Sequence, residues 1–273
     1  MSLRPLHEMP RSTARAVHPV LTDIDDTLSS EGRLTAVAYT ALEQLHDAGL
    51  RVVPVTGRPA GWCDHVARFW PVDAVVGENG AFYMWHERGQ AGGAGRLRTR
   101  HGLEAAARAA STAKLAAVRD RILAEVPGCA VASDQFSRLY DLAIDFCEDV
   151  PALPRFQVDR IVALMREAGM MAKVSSIHVN GWFGDWDKLA MTRRLMFERF
   201  GIDIDDANER ARIVFAGDSP NDEPMFAFFP NAVGVANVLA HRERIKVLPA
   251  WLTPSAAGQG FVELAQHLLA ART

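Results

Sequence analysis

The sequence predicts an α/β protein, a doubly wound, Rossmann-like parallel sheet core carrying an inserted, smaller α+β cap domain. Three observations carry that reading. Short β-rich runs alternate with segments of helical periodicity at both ends of the chain, as in a parallel sheet covered by helices. In the middle this alternation gives way to a mixture of strand-like and helix-like segments. The outer apolar runs also close on polar residues, and in open parallel sheets ligands bind beyond the carboxyl ends of the strands.

The first 17 residues, "MSLRPLHEMPRSTARAV", are basic and proline-containing and lack the apolar stretch of a secretory signal; a loose tail is expected. "VHPVLTDID", "RVVPVTG" and "DAVVGENG" read as strands. Between the first two, "AVAYTALEQLHDAGL" has apolar residues at helical spacing and stops at Gly49, a residue suited to ending a helix. "FYMWHERGQAGGAGRLRTRHG" reads as two strands about a flexible Gly-rich tip, residues 104–126 as an Ala-rich helix and "LYDLAIDF" as a strand. "PRFQVDRIVALMREAGM" is a helix ending at Gly169, and "AKVSSIHVNGW" a strand or strand pair. The helix "DWDKLAMTRRLMFERFG" returns the chain to the strands "RIVFAGD" and "AVGVAN". The core is therefore expected to be discontinuous, residues 18–84 with 185–273, around a cap over residues 85–184.

With 49% hydrophobic and 23% charged residues in 273, the composition is that of a globular chain. A formal net charge of −3 supplies no basic field, so neither nucleic acid nor an anionic membrane is the expected partner. No run approaches the roughly 18 apolar residues that span a bilayer. Cys63, Cys129 and Cys147 lack metal-like spacing and suit a reducing compartment, so the cytoplasm is expected. The histidines show no ligand spacing either.

Polar strand endings recur at Asp23 and Asp25, Thr56, Glu78 and Asn79, Asp218 and Asn237. One such ending is ordinary turn chemistry; several along one edge suggest a constructed site. Carboxylates at i and i+2 of a strand point to the same side, and such close like charges raise one pKa unless a cation lies between them. Asp218 and Asp222 in "GDSPNDEPM" extend the cluster, and an all-oxygen set without His or Cys suits Mg²⁺ rather than zinc. Thr56 adds a hydroxyl, and Gly57 allows close backbone approach. Lys188 stands in the first turn of its helix, where the macrodipole disfavours a cation by about 0.3–1 kcal/mol, so an anion such as phosphate is the expected compensation.

The ordered set "DIDDT", "VTGR", "DWDK" and "GDSPND" resembles the haloacid dehalogenase superfamily of phosphohydrolases. An insert between the threonine and lysine motifs resembles its Cof-type, or IIB, subfamily, which includes sucrose-phosphate and mannosyl-3-phosphoglycerate phosphatases. The resemblance implies a cytoplasmic, Mg²⁺-dependent phosphomonoesterase acting on a small phosphorylated metabolite, in particular a sugar phosphate. It makes Asp23 the nucleophile that forms an aspartyl-phosphate and ligates Mg²⁺, and Asp25 the general acid and then base, its carbonyl reaching the metal. Thr56 and Lys188 would hold phosphoryl oxygens, Asp218 would ligate Mg²⁺, and Asn221 and Asp222 would support it, Asp222 as a ligand or from the next shell. "GENGA" resembles the family's Asn-Gly segment, which would turn Asn79 toward substrate, although a plain turn fits it as well. Gly57 and Arg58 complete the expected phosphate surroundings, with pairing to a nearby acid an open alternative for Arg58. Asp26 stands where many members have glycine, so a residue with a side chain must make that turn; its carboxylate could cap the following helix.

Two alternatives share parts of this chemistry. A phosphomutase of the phosphomannomutase type would return the phosphoryl group to another hydroxyl and needs an extra cationic cluster in the cap, for which "GRLRTRHG" is the candidate. A receiver-like phosphoaspartate module would use a similar Asp, Thr and Lys set but needs no such insert. Trp182, Phe183 and Trp186 fall where the cap rejoins the core, suiting either a substrate mouth or hinge packing; "MFAFF" (225–229) reads as core.

Overall fold

The computed structural model describes residues 3–89 and 94–273. A six-stranded, all-parallel sheet has the order Arg4–Pro5, Trp251–Leu252, Asn231–Gly234, Val214–Gly217, Pro19–Thr22, Arg51–Pro54. Its inner strands Pro19–Thr22, Val214–Gly217 and Asn231–Gly234 are buried on both faces, as is Arg51–Pro54 after its first residue, and their side chains alternate between two apolar layers as a period of two requires. Val20, Val52, Val214 and Val233 enter one layer; Leu21, Val53, Phe215 and Ala232 enter the other. Helices Ala36–Asp47 and Ala257–Ala270 cover the first face, Lys188–Phe200 and Glu223–Phe228 the second. Helix Ala36–Asp47 begins on a Thr35 cap and is followed by Gly49 at φ +80°, while Lys188–Phe200 ends on Gly201 at φ +66°.

The second unit is a four-stranded antiparallel sheet, ordered Ala130–Val131, Leu142–Asp145, His178–Trp182, Met171–Val174. Helices Ala105–Glu125 and Arg155–Glu167 pack their Val118, Ile122, Val158, Ile161 and Leu164 on it. "AKVSSIHVNGW" is thus a strand pair.

Two expectations change. The N-terminal segment is not loose among its described residues: Leu6, Met9, Ala14 and Val17 are buried in the core and Arg4–Pro5 forms the edge strand of the large sheet. Arg4 lies 3.7 Å over the Trp251 ring, and Arg272 donates to the carbonyls of Ala14 and Val17. Those four apolar residues are separated by prolines and polar residues, so they show no periodicity. Secondly, the hairpin Phe82–Glu87 with Arg96–His101 sits on the core side of residue 85's expected boundary. It forms a three-stranded sheet with Val75–Gly77, which joins the core through a parallel bridge from Val76 to Val55. Phe82 and Tyr83 are buried in the two core layers, which is what holds the hairpin there. The "GQAGGAG" tip falls mostly on residues 90–93, outside the described residues.

Candidate active site

The carboxyl ends of four neighbouring segments converge. Pro19–Thr22 delivers Asp23, Arg51–Pro54 leads to Thr56, Val75–Gly77 leads to Asn79, and Val214–Gly217 delivers Asp218. Parallel neighbours put equivalent ends at one edge, so residues nearly 200 positions apart become adjacent.

At the centre, the Lys188 ammonium donates to Asp23 Oδ1 and Asp222 Oδ1, both at 2.7 Å. All three residues are buried. Lys188 is the first residue of its helix, behind an Asp187 cap whose carboxylate accepts from Ala190 N at 2.8 Å; the two acids overcome the adverse macrodipole. Carboxylate oxygens of Asp23, Asp218 and Asp222 lie within 4.8 Å of one another. Burial pushes the Asp23 carboxyl up to about 8, with Lys188 pulling it down and Asp222 and Asp25 pushing it up. Burial also pushes Asp218 well above its ordinary value, and the neighbouring Asp23 and Asp222 add to this. The Lys188 ammonium is disfavoured by burial, but Asp222 and Asp23 more than compensate and its pKa is raised.

The two acids of "GDSPND" differ in their bonding. Asp222 is saturated: Lys188 takes Oδ1, and the amides of Asp218 and Ser219 donate to Oδ2 at 3.0 and 3.2 Å. Among the described residues, Asp218 accepts from neutral groups alone, Thr27 Oγ1 at 3.2 Å and Asn237 Nδ2 at 2.9 Å. Three buried carboxylates with one ammonium among them leave excess negative charge, and an oxygen-only donor set of this kind fits a hard divalent cation.

Thr56 is fully buried and its hydroxyl accepts from Arg58 N at 3.0 Å. Glu78, Asn79 and Gly80 take φ values of +43°, +53° and +104°. Any side chain at Gly80 would collide with the Asp187 carbonyl, 2.0 Å from a Cβ placed there, so glycine lets this turn press against the start of the lysine helix. Asn221 Nδ2 donates to Asn79 Oδ1 at 3.2 Å. Asn79 Nδ2 is buried without a hydrogen-bond partner among the described residues, beside Gly57. A buried donor in that state suits an acceptor supplied by a ligand.

Arg58 does not present its charge to this group. Its Nε lies 3.0 Å from both oxygens of Asp25, and its Nη2 donates to Asp25 at 2.9 Å and to Glu148 at 2.7 Å. Its Nη1 reaches Asp134 at 3.4 Å. Asp134 and Glu148 belong to the cap. Arg138, also of the cap, donates to Gly57 O at 2.9 Å and pairs with Asp134 and Asp141; Asp141 also accepts from Asn180 at 2.8 Å. From the core, Glu78 accepts backbone N–H bonds from Leu139, Tyr140 and Asp141. The cap is thus seated by buried charge, and a narrow cavity between Asp25, Arg138, His178, Asn180 and Asn221 separates it from the strand ends.

The aromatic trio serves as packing. Trp182 is fully buried and stacks on Trp186 at 6.0 Å, which meets Tyr140 edge-on at 5.8 Å. Asp26 makes its turn at φ +55°, and among the described residues its hydrogen bonds run through the backbone, so it caps no helix.

The fold and strand-end acids define a class of capped α/β hydrolases. Residues 20–91 match the haloacid dehalogenase-like hydrolase family. A Plasmodium vivax protein described as a HAD/COF-like hydrolase shares 14% identity over 96% of this chain and 99% of its own, with a TM-score of 0.67. The Synechocystis sucrose-phosphatase, solved with sucrose and phosphate, shares 15% over 92% and 97%, at 0.61. A HAD subclass IIB sugar phosphatase shares 14% over 92% and 98%, at 0.57. At these identities the likeness is one of fold. No curated protein sequence matches the chain. The family match thus covers residues 20–91, and the chain as a whole shares the fold of the HAD/COF-like and subclass IIB structures. Among the described residues, no helix is long and apolar enough to cross a membrane.

Proposed function

We propose that the protein is a phosphomonoesterase that hydrolyses a small sugar phosphate through an aspartyl-phosphate on Asp23. The observation that carries this is the buried Asp23–Lys188–Asp222 arrangement at 2.7 Å on each side, with Asp218 in the same cluster. Asp23 and Asp218, with the Asp25 carbonyl, would hold Mg²⁺, which when bound neutralises phosphoryl charge. Asp222 acts from behind, fixing Lys188. The third ammonium hydrogen of Lys188, the Thr56 hydroxyl, the Gly57 backbone and the amides of Asn79 and Asn221 surround the phosphoryl oxygens.

In the first half-reaction an Asp23 oxygen bonds to phosphorus as the ester P–O bond breaks, and the departing oxygen takes a proton from Asp25. In the second, water attacks phosphorus, its proton goes to Asp25, and Asp23 is released. Splitting one displacement into two is the benefit of a covalent route. Neighbours in fold act on sugar phosphates by their names, among them sucrose-phosphatase and a subclass IIB sugar phosphatase, and this supports a polyhydroxylic leaving group.

Hydrolysis is favoured over phosphoryl return to a second position. A mutase must grip a second anion, yet the two guanidiniums at the seam, Arg58 and Arg138, already face four carboxylates, Asp25, Asp134, Asp141 and Glu148. The arginines of "GRLRTRHG" lie on the core hairpin, where Arg98 pairs with Glu87 and Arg100 with Glu198.

The test is phosphate release from a panel of sugar phosphates with Mg²⁺, wild type beside Asp23→Asn. The wild type should turn over at least one ester. The variant should keep its circular dichroism and lose on the order of 10⁴-fold or more in kcat, as when a covalent nucleophile is deleted. Retained turnover in the variant would refute the assignment of Asp23.

A further inference from the structure

The catalytic acid proposed above is gripped by a core arginine that the cap in turn holds. Arg58 is only 4% exposed, stacks 4.3 Å over the Trp62 ring and places a fork of N–H donors on both Asp25 oxygens. A planar guanidinium bound in this bidentate way sets the carboxylate's orientation as well as its position. The Nη2 that donates to Asp25 also donates to Glu148 Oε1 at 2.7 Å, across the seam and 90 residues away in sequence.

Glu148 is itself fixed. The amides of Cys147, Glu148 and Asp149 all donate to the buried Asp145 carboxylate, at 2.9, 2.8 and 2.8 Å, locking the turn that carries it. Its second oxygen lies 2.8 Å from Nε2 of His178, a buried residue paired with Asp145 in the cap sheet. The His178 contact, together with Arg58, overrides burial and holds the Glu148 carboxyl down at about 2. A rigid cap element therefore ends on one carboxylate, and that carboxylate ends on the residue that orients Asp25.

We propose that Glu148 is a positioning residue: through Arg58 it aligns Asp25 for proton delivery to the leaving oxygen, so that the acid is competent only when the cap is seated. The inference rests on the phosphomonoesterase reading. As the P–O bond breaks, its electron pair stays on the leaving oxygen, and Asp25 supplies the proton that neutralises it. A nitrophenolate departs without that proton; a sugar alkoxide does not.

The experiment compares the single-turnover rate of leaving-group release, which reads formation of the aspartyl-phosphate alone, for p-nitrophenyl phosphate and for the sugar phosphate hydrolysed fastest in the panel, in wild type, Glu148→Gln and Arg58→Lys, each checked for fold by thermal melting. Glu148→Gln should stay within about threefold of wild type on the nitrophenyl ester. On the sugar ester it should lose about 10–100-fold, a share of the roughly 10²–10⁴ that a positioned acid contributes. Arg58→Lys should show the same selective loss, and Glu148→Asp should recover part of it. Equal losses on both esters, or none on either, would overturn the inference while leaving the phosphatase reading intact. A wild type that hydrolyses no sugar phosphate would instead remove that reading, and this inference with it.

Discussion

At the strand ends, three carboxylates, Asp23, Asp218 and Asp222, share one ammonium; at the cap seam, two guanidiniums are shared among Asp25, Asp134, Asp141 and Glu148. Both are clusters of buried or half-buried charge with more acid than base, but they are satisfied differently. Each of these four seam carboxylates touches a cation directly; Asp141 also accepts from Asn180, and Glu148 lies 2.8 Å from His178 Nε2. Among the described residues Asp218 touches none: a hydroxyl and an amide are its side-chain donors. Charge at the seam is closed upon itself and joins two bodies. Charge at the strand ends is left open on one side, toward a ligand. A buried ion pair by itself says little about function; the acid that lacks its cation is the informative one.

The largest effect should come from removing one acid of each kind. Asp141→Asn leaves Arg138 short of a partner in a fully buried setting and should cost about 3–5 kcal/mol, the usual result of breaking a buried pair. Asp218→Asn removes a charge that has no cationic partner, so in EDTA its melting temperature should equal or exceed that of the wild type. With Mg²⁺ the order should reverse, because only the wild type gains the stabilisation that ligand binding confers. Melting curves for both variants with and without Mg²⁺ read this directly. Equal destabilisation of the two in EDTA would erase the distinction between open and closed charge.

This contrast also explains what could be read from the sequence. The strand-end residues were legible because each stands in a short motif directly after an apolar run, and a parallel sheet brings such ends together without further information. The alternation of short β-rich runs, such as those holding Val20–Leu21 and Val52–Val53, with helical segments likewise pointed to a parallel sheet covered by helices. The seam was opaque. Arg58 meets Glu148 through a cap sheet whose register is set by pairing His178 with Asp145, and no local pattern encodes that. The alternation of His178, Asn180 and Trp182 along one strand face was the one available sign. Arg58 was expected near phosphate because its motif neighbours are, with pairing to a nearby acid left open; it pairs with Asp25 of the core and, in another unit, with Asp134 and Glu148. The N-terminal segment was missed because its anchors are single residues.

A middle case sharpens the comparison. Glu78 belongs to the seam but is held by dipoles, with both oxygens accepting backbone N–H bonds from Leu139 and others from Ala60 and Tyr140. Burial, then the nearby Asp141, pushes its carboxyl up to about 8, and the amide donors oppose this. In Glu78→Gln an NH₂ group would face N–H donors that an oxygen now accepts. The expected cost is about 1–3 kcal/mol, that of leaving buried donors unmatched, measured by urea unfolding. A neutral result would show that amide dipoles do not bind this carboxylate to the cap as cations bind its neighbours.

The smallest effect is expected at Asp26, which sits between the two clusters and adds negative charge near Asp218. Its φ of +55° is a conformation that costs a residue bearing Cβ about 1 kcal/mol or more, and glycine nothing. Glycine, however, loses more backbone freedom on folding, by about 0.5–1 kcal/mol. These terms nearly cancel, so Asp26→Gly should melt within about 2–4 °C of the wild type, whereas Asp26→Ala, which keeps the strain and lacks aspartate's tolerance of this region, should be about 1 kcal/mol less stable. Since the Asp26 carboxylate accepts no hydrogen bond among the described residues, catalysis should survive in both. A loss of Mg²⁺-dependent turnover in the glycine variant, with its fold intact, would mean that the strand-end cluster extends to a fourth acid and is more open than its three buried carboxylates imply.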